Sequence, residues 1–253
     1  MRPLRAAIAV GVALTCLTLD AAAQEGLFLT WNDCAGSALA SAVRTSACDN
    51  NDAQNRLYVA FSVATEVDSV LGVEIVVDLQ TTASSIPEWW RFDAAGCRYA
   101  SLTANGSFGD MPPCIDLWGA LDPSGSVQSY TLNMPRGQPN QARIRVALGI
   151  VSPAGMTVSP GGRYLAARLT IDQLKTIDAG ACPGCGDGVC LVLNSIILKR
   201  PIRPPGVPTT DVLLAQPGPM AGNWAIWQGG TATQCQAVPV RPHTWGEIKS
   251  VYR

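Results

Sequence analysis

Apolar and polar side chains alternate with a period of two along four stretches of the chain. Leu57, Val59, Phe61 and Val63 alternate with Tyr58, Ala60 and Ser62, and Val73, Ile75, Val77 and Leu79 alternate with Glu74 and Asp78. Ile144, Val146, Leu148 and Ile150 follow the same rule with Arg143 and Arg145 on the other phase. Leu165, Ala167, Leu169 and Ile171 do so with Arg168, Thr170 and Asp172. In a strand successive side chains point to opposite faces, so each stretch predicts a β-strand with one buried face. The run VCLVLNSIILK, residues 189 to 199, is apolar on both phases and reads as a strand covered on both sides. Shorter candidates are Leu27 to Trp31, Arg98 to Leu102, Gln128 to Met134 and Trp224 to Gln228.

Turn-forming clusters separate these stretches: ANGSFGDMPP, DPSGS, RGQPNQ and SPGGR. Glycine supplies positive φ and proline presets it, and no long helical period intervenes. The fold class this predicts is mainly β, an antiparallel two-sheet sandwich over residues 24 to 200. RPIRPPGVP at residues 200 to 208 reads as a semi-rigid linker, followed by a C-terminal extension to residue 253 that docks on the sandwich. In that extension Thr244 and Glu247 have capping-box spacing, predicting a short final helix that packs through Trp245, Ile248 and Tyr252.

The N-terminus fixes the compartment. Arg2 and Arg5 precede an apolar run from Ala6 to about Leu19, and Ala21, Ala22 and Ala23 follow. This is the layout of a secretory signal peptide over residues 1 to 23, cleaved after Ala23. The run is shorter than the ~20 apolar residues of a spanning helix, so no transmembrane segment is expected and the chain reads as secreted. Removing the leader takes away Cys16 and leaves eight cysteines: Cys34, Cys48, Cys97, Cys114, Cys182, Cys185, Cys190 and Cys235. An even number in an exported chain predicts a full set of disulfides. Sequence proximity pairs Cys34 with Cys48 and Cys97 with Cys114. CPGCGDGVC, residues 182 to 190, runs into a strand and not into a helix N-terminus, so it reads as a staple and not as a redox or zinc centre. One pair is expected within that loop, with the third cysteine reaching Cys235.

The charge balance and the residue inventory narrow the function. With 18 basic and 19 acidic residues and no basic stripe, nucleic acid is not an expected partner. The single histidine, His243, and the absence of a Gly-x-Ser-x-Gly stretch argue against nucleophilic or zinc hydrolysis, and nothing calls for a cofactor. Asp49, Asn51 and Asp52 offer oxygen ligands to calcium, but the stretch lacks the glycine and closing glutamate of an EF-hand loop and reads more readily as an Asx-rich turn. PEWWRFD, residues 87 to 93, brings Glu88, Arg91 and Asp93 next to Trp89 and Trp90, and Asp116 lies near Trp118. Neighbouring tryptophans on a strand point to opposite sides, so one is expected in the core and the other over a loop or free for contact. The segment is therefore the candidate binding site, with Glu88, Arg91 and Asp93 as a polar rim.

The stretches RLYVAFSVATEVDSVLGVEIVVDL, QARIRVALGI and GRYLAARLTI, within about residues 55 to 200, resemble the strand patterns of cohesin-like jelly-roll modules of bacterial extracellular proteins. That resemblance implies a jelly-roll sandwich and a non-enzymatic role in binding an extracellular protein, as those modules bind dockerins. The cysteines, the PEWWRFD segment and the C-terminal extension depart from the pattern. The second function left open is a carbohydrate-binding module or carbohydrate-active enzyme that meets a glycan through Trp89 and Trp90.

Overall fold

A computed structural model describes residues 24–109, 111–152, 154–201, 210–215, 222–229 and 235. The expected signal peptide, His243, the expected final helix and most of the proline-rich stretch lie outside the described residues. Among those described, the strands in chain order are β1 (Gly26–Trp31), β2 (Val43–Arg44), β3 (Gln54–Ser62), β4 (Val67–Val70), β5 (Gly72–Thr81), β6 (Leu102–Asn105) and β7 (Ile115–Asp116). They continue with β8 (Ser124–Leu132), β9 (Gln141–Gly149), β10 (Met156–Val158), β11 (Tyr164–Asp172), β12 (Val189–Lys199), β13 (Val212–Leu214) and β14 (Trp224–Trp227). A single 3-10 turn covers Glu88–Trp90.

The four alternating stretches are β3, β5, β9 and β11, and the doubly apolar run is β12. The shorter candidate at Arg98 to Leu102 is a turn that reaches strand geometry only at Leu102. One sheet has the order β1-β3-β11-β6, with β7 also on β11, and the other has the order β2-β14-β12-β5-β9-β8, with β13 on β12; β4 and β10 form a separate ribbon. The long pairings are antiparallel, as in Val73↔Leu148 to Leu79↔Ala142. The inward phases of both sheets meet in one core, which takes Leu57, Val59 and Phe61 from β3, Val73, Ile75, Val77 and Leu79 from β5, and Leu191 and Leu193 from β12. At one edge the sheets are stitched together: the Trp31 indole N–H donates to the Ile226 carbonyl at 2.9 Å, and Leu29 N–H donates to Gly222 O at 2.7 Å.

The segment expected as a docked extension is part of the sheet itself. β13 and β14 both pair with β12, and Trp227 of β14 is fully buried. An aromatic cluster forms around it, with ring centroids 5.1 Å from Trp89, 5.7 Å from Trp90 and 5.9 Å from Trp31.

Four disulfides cross-link the described residues: Cys34–Cys114, Cys48–Cys185, Cys97–Cys182 and Cys190–Cys235. The full pairing and the Cys190–Cys235 link agree with the sequence reading, while the local pairs and the pair within the loop are corrected. The reason is which side of the five-stranded sheet each cysteine occupies. Cys34 and Cys114 lie in a small apolar cluster on its outer face with Phe28, Tyr58 and Leu165, whereas Cys48, Cys97, Cys182 and Cys185 pack against the main core. A Cys34–Cys48 or Cys97–Cys114 bond would have to pass through a sheet. Within CPGCGDGVC the three cysteines diverge to three distant segments, helped by Gly184 at φ +104°.

Candidate functional site

The PEWWRFD segment follows β5 and turns at Pro87 into the 3-10 turn, so its tryptophans do not alternate as they would on a strand. Both Trp89 and Trp90 are 0% exposed. Pro87 fixes φ at the turn's start, and Trp90 N–H donates back to Pro87 O at 2.9 Å. Trp89 is anchored by its backbone N–H to Pro183 O and by its indole N–H to the Thr176 hydroxyl, both at 2.9 Å. The expectation of an exposed tryptophan is corrected: at this place both rings belong to the core.

Above Trp89 lies Arg98, 1% exposed, whose guanidinium carbon sits 3.6 Å from the ring centroid. It donates to Trp89 O at 2.8 Å and to Leu174 O at 2.9 Å. Burial pushes its pKa down to about 9, so it stays charged at neutral pH. A planar fork reaches both carbonyls, and a lysine ammonium cannot reproduce that geometry. Arg98→Lys should therefore lower the unfolding free energy by about 2 kcal/mol, the scale of one buried carbonyl losing its donor. A denaturant midpoint equal to that of the parent chain would contradict this role.

The polar rim is closed on itself. Arg91 donates to Glu88 at 3.1 Å and grips Asp93 with both N–H arms at 3.1 and 3.0 Å. The hydrogen bond from Arg91 holds the Asp93 carboxyl below its usual pKa, the opposite of what a general acid needs. Asp116 is committed too, its Oδ1 accepting the Trp118 backbone N–H at 2.9 Å. The pairing of acids and tryptophans legible in the sequence is thus structural in each case.

The loop with Asp49, Asn51 and Asp52 is likewise used internally. Asn51 Oδ1 accepts the N–H groups of Thr176 and Ile177 at 2.8 and 3.1 Å, and Asn50 Oδ1 accepts those of Asp52 and Ala53 at 3.1 and 2.9 Å. This is the Asx-rich turn. Among the described residues no group of three or more His, Cys, Asp or Glu side chains is placed to hold a metal ion.

The surface best built for contact is the outer face of the seven-stranded sheet. Asp78 looks exposed from its alternation, yet it is 3% exposed because two neighbouring strands cover it. Arg143, its register partner on β9, forks onto both carboxylate oxygens at 2.7 and 2.8 Å. Asn194, at the register irregularity of β12, donates its amide to the same carboxylate. The bond to Asp78 raises the Arg143 pKa and fixes the guanidinium over the neighbouring strand. Beside this fixed network run Val76, Ile197 and the 52% exposed Leu213, in adjacent register rows that also carry Glu74 and the exposed Arg145. Sequence reasoning missed this surface, although Asp78 and Arg143 each stood on the polar phase of a recognised strand. The chain matches no protein-family model and none of the curated proteins.

Proposed function

We propose that the chain is a secreted, non-enzymatic binding or structural module of jelly-roll, cohesin-like type that engages an extracellular protein partner through the outer face of the seven-stranded sheet. The observation that carries this reading is the face itself, with an apolar strip, Val76, Ile197 and Leu213, flanked by fixed charges. That is the anatomy of a protein interface, an apolar centre with a polar rim. Strands β8, β9, β5 and β12 with β13 span roughly 20 Å by 30 Å at ~4.8 Å per strand and ~3.4 Å per residue. This approaches the ~800 Å² that each partner contributes to a standard interface.

The jelly-roll reading is supported by the order in which the chain visits the two sheets. β3 is followed across by β5, which is followed by β6 on the first sheet, then β8 and β9 on the second, β11 on the first and β12 on the second. Export is supported by the leader-like N-terminus and by four disulfides, which persist in oxidising compartments. Among the described residues no helix is long and apolar enough to cross a membrane. The carbohydrate reading through Trp89 and Trp90 has no exposed indole to rest on.

Its test compares immobilised parent protein with an Arg145→Glu, Leu213→Asp double variant, using extracellular fluid of the source culture followed by purified partner. Both positions are exposed, so circular dichroism and melting should be unchanged. Partner affinity should fall at least tenfold, while Thr103→Lys, on the opposite sheet, should leave it intact. Equal affinity for the double variant and the parent would sink the assignment of this face.

A further inference from the structure

On the other side of the molecule, the outer face of the five-stranded sheet carries a cavity of about 210 Å³ lined by Phe28, Ala35, Gly36, Ser37, Ser41 and Arg163, among others. Its apolar wall is Phe28 with Ala35, both members of the small cluster that holds Tyr58, Leu165 and the Cys34–Cys114 disulfide. Arg163 precedes β11 and lies with its guanidinium carbon 4.2 Å from the Phe28 ring centroid. Its Nη1 donates to Ala35 O. Gly36, at φ +95°, leaves the guanidinium its room, since a Cβ there would come within 2.5 Å of Arg163 Nη1.

Two features of this cavity are unmatched by the protein. The first is charge: no acidic side chain lines it, and no carboxylate among the described residues pairs with Arg163. The carboxylate nearest in sequence to the lining loop, Asp33, is taken up by Cys34 N–H at 2.7 Å and the Ser37 hydroxyl at 2.5 Å. Burial lowers the Arg163 pKa, as expected of a cation short of a counter-charge. The second is polarity at the rim. The hydroxyls of Thr30, Ser37 and Ser41 already donate their protons to Asp33 O, Asp33 Oδ2 and Val43 O. Ser37 Oγ also accepts the Leu39 N–H at 3.2 Å and Ser41 Oγ the Val43 N–H at 3.1 Å, so each keeps one lone pair for a ligand hydroxyl.

A guanidinium that donates and a set of hydroxyl oxygens that accept select a ligand with a carboxylate and hydroxyl groups. We propose that this cavity binds a small hydroxy-carboxylate, of the size of one sugar-acid unit, with Arg163 on the carboxylate and Ser37 and Ser41 on the ligand hydroxyls. A planar guanidinium matches a carboxylate with two parallel hydrogen bonds. The volume is below the ~300 Å³ at which sites for larger organic ligands begin, so it accommodates one unit and not a longer segment. The site is independent of the protein-binding face, which lies on the other sheet.

Titration calorimetry at low salt tests it with D-galacturonate, D-galactose, lactate and oligogalacturonate as probes. D-galacturonate should bind at least tenfold more tightly than D-galactose, and Arg163→Gln should abolish the difference. Ala40→Leu puts a larger side chain on another part of the lining and should weaken galacturonate by a similar factor, which guards against a variant that merely fails to fold. Tighter binding of oligogalacturonate would assign the site to the terminal unit of an acidic polysaccharide and equal binding to the free sugar acid, both in support, whereas lactate matching galacturonate would overturn the sugar-acid assignment. Equal binding of galactose and galacturonate, no binding of any probe, or unchanged binding by Arg163→Gln would overturn it.

Discussion

Trp227→Ala is expected to lower the unfolding free energy by about 3–5 kcal/mol, the range for removing a large aromatic side chain from a packed core. Trp227 is 0% exposed and meets three other tryptophans, and its indole N–H donates to the Cys185 carbonyl at 2.7 Å. Its loss therefore opens a cavity and leaves the Cys185 carbonyl with only the longer bond from the Gln228 amide, at 3.3 Å. For a domain of this size each kcal/mol moves the melting temperature by about 2–4 °C, so a drop of roughly 10 °C is expected by thermal denaturation under oxidising conditions. Trp224, three residues earlier and on the outer face beside Cys190 and Cys235, is half-buried. Trp224→Ala should cost much less. If the two substitutions cost the same, or if Trp227→Ala melts with the parent chain, the last strand is not part of the core. Truncation after Pro208 should be more severe than either, because it removes β13, β14 and the Cys235 crosslink together.

This result marks where sequence reading ends. The period-two pattern located β3, β5, β9 and β11 because burial of one face leaves an unambiguous trace in each strand, and the doubly apolar run located β12. β14 left little trace: WAIW is four residues long, and only its tertiary position shows that Trp227 is central. The same limit explains Trp89 and Trp90. Read as a strand they must diverge, but Pro87 followed by an acid is also a helical start signal, and a single 3-10 turn suffices to direct both rings inward. Asp78 shows a third case. Alternation places it on the solvent phase, and what buries it is the Arg143 partner fixed by cross-strand register together with Asn194 at an irregularity of β12. Register and bulges are set by the whole sheet, so neither can be read from one strand. The Arg163 cavity was silent for the same reason, since Phe28, Ser37 and Arg163 meet only after the sheet has formed.

The disulfides are expected to have the largest effect on stability. Their partners lie 80, 137, 85 and 45 residues apart, with Cα–Cα separations of 6.0, 6.0, 6.0 and 5.5 Å that lie in the ordinary range for a disulfide. In the chain-entropy model a loop of 45 to 137 residues restricts the unfolded state by about 4–5 kcal/mol, with only a logarithmic dependence on length. Removing the longest crosslink with Cys48→Ala and Cys185→Ala should therefore cost about as much as removing the shortest. The four loops overlap, so their effects do not simply add. Even so, loss of all four should exceed much of the ~5–15 kcal/mol that ordinarily holds a domain together. Millimolar reductant should thus abolish cooperative unfolding, whereas alkylation without reductant should leave the intact mass unchanged. The pairing itself is read by mass spectrometry of a non-reduced digest, in which Cys34 should appear joined to Cys114. A peptide joining Cys34 to Cys48 would show instead that the two cysteines share one side of the five-stranded sheet, and the placement of the β1 to β3 connection would have to be abandoned.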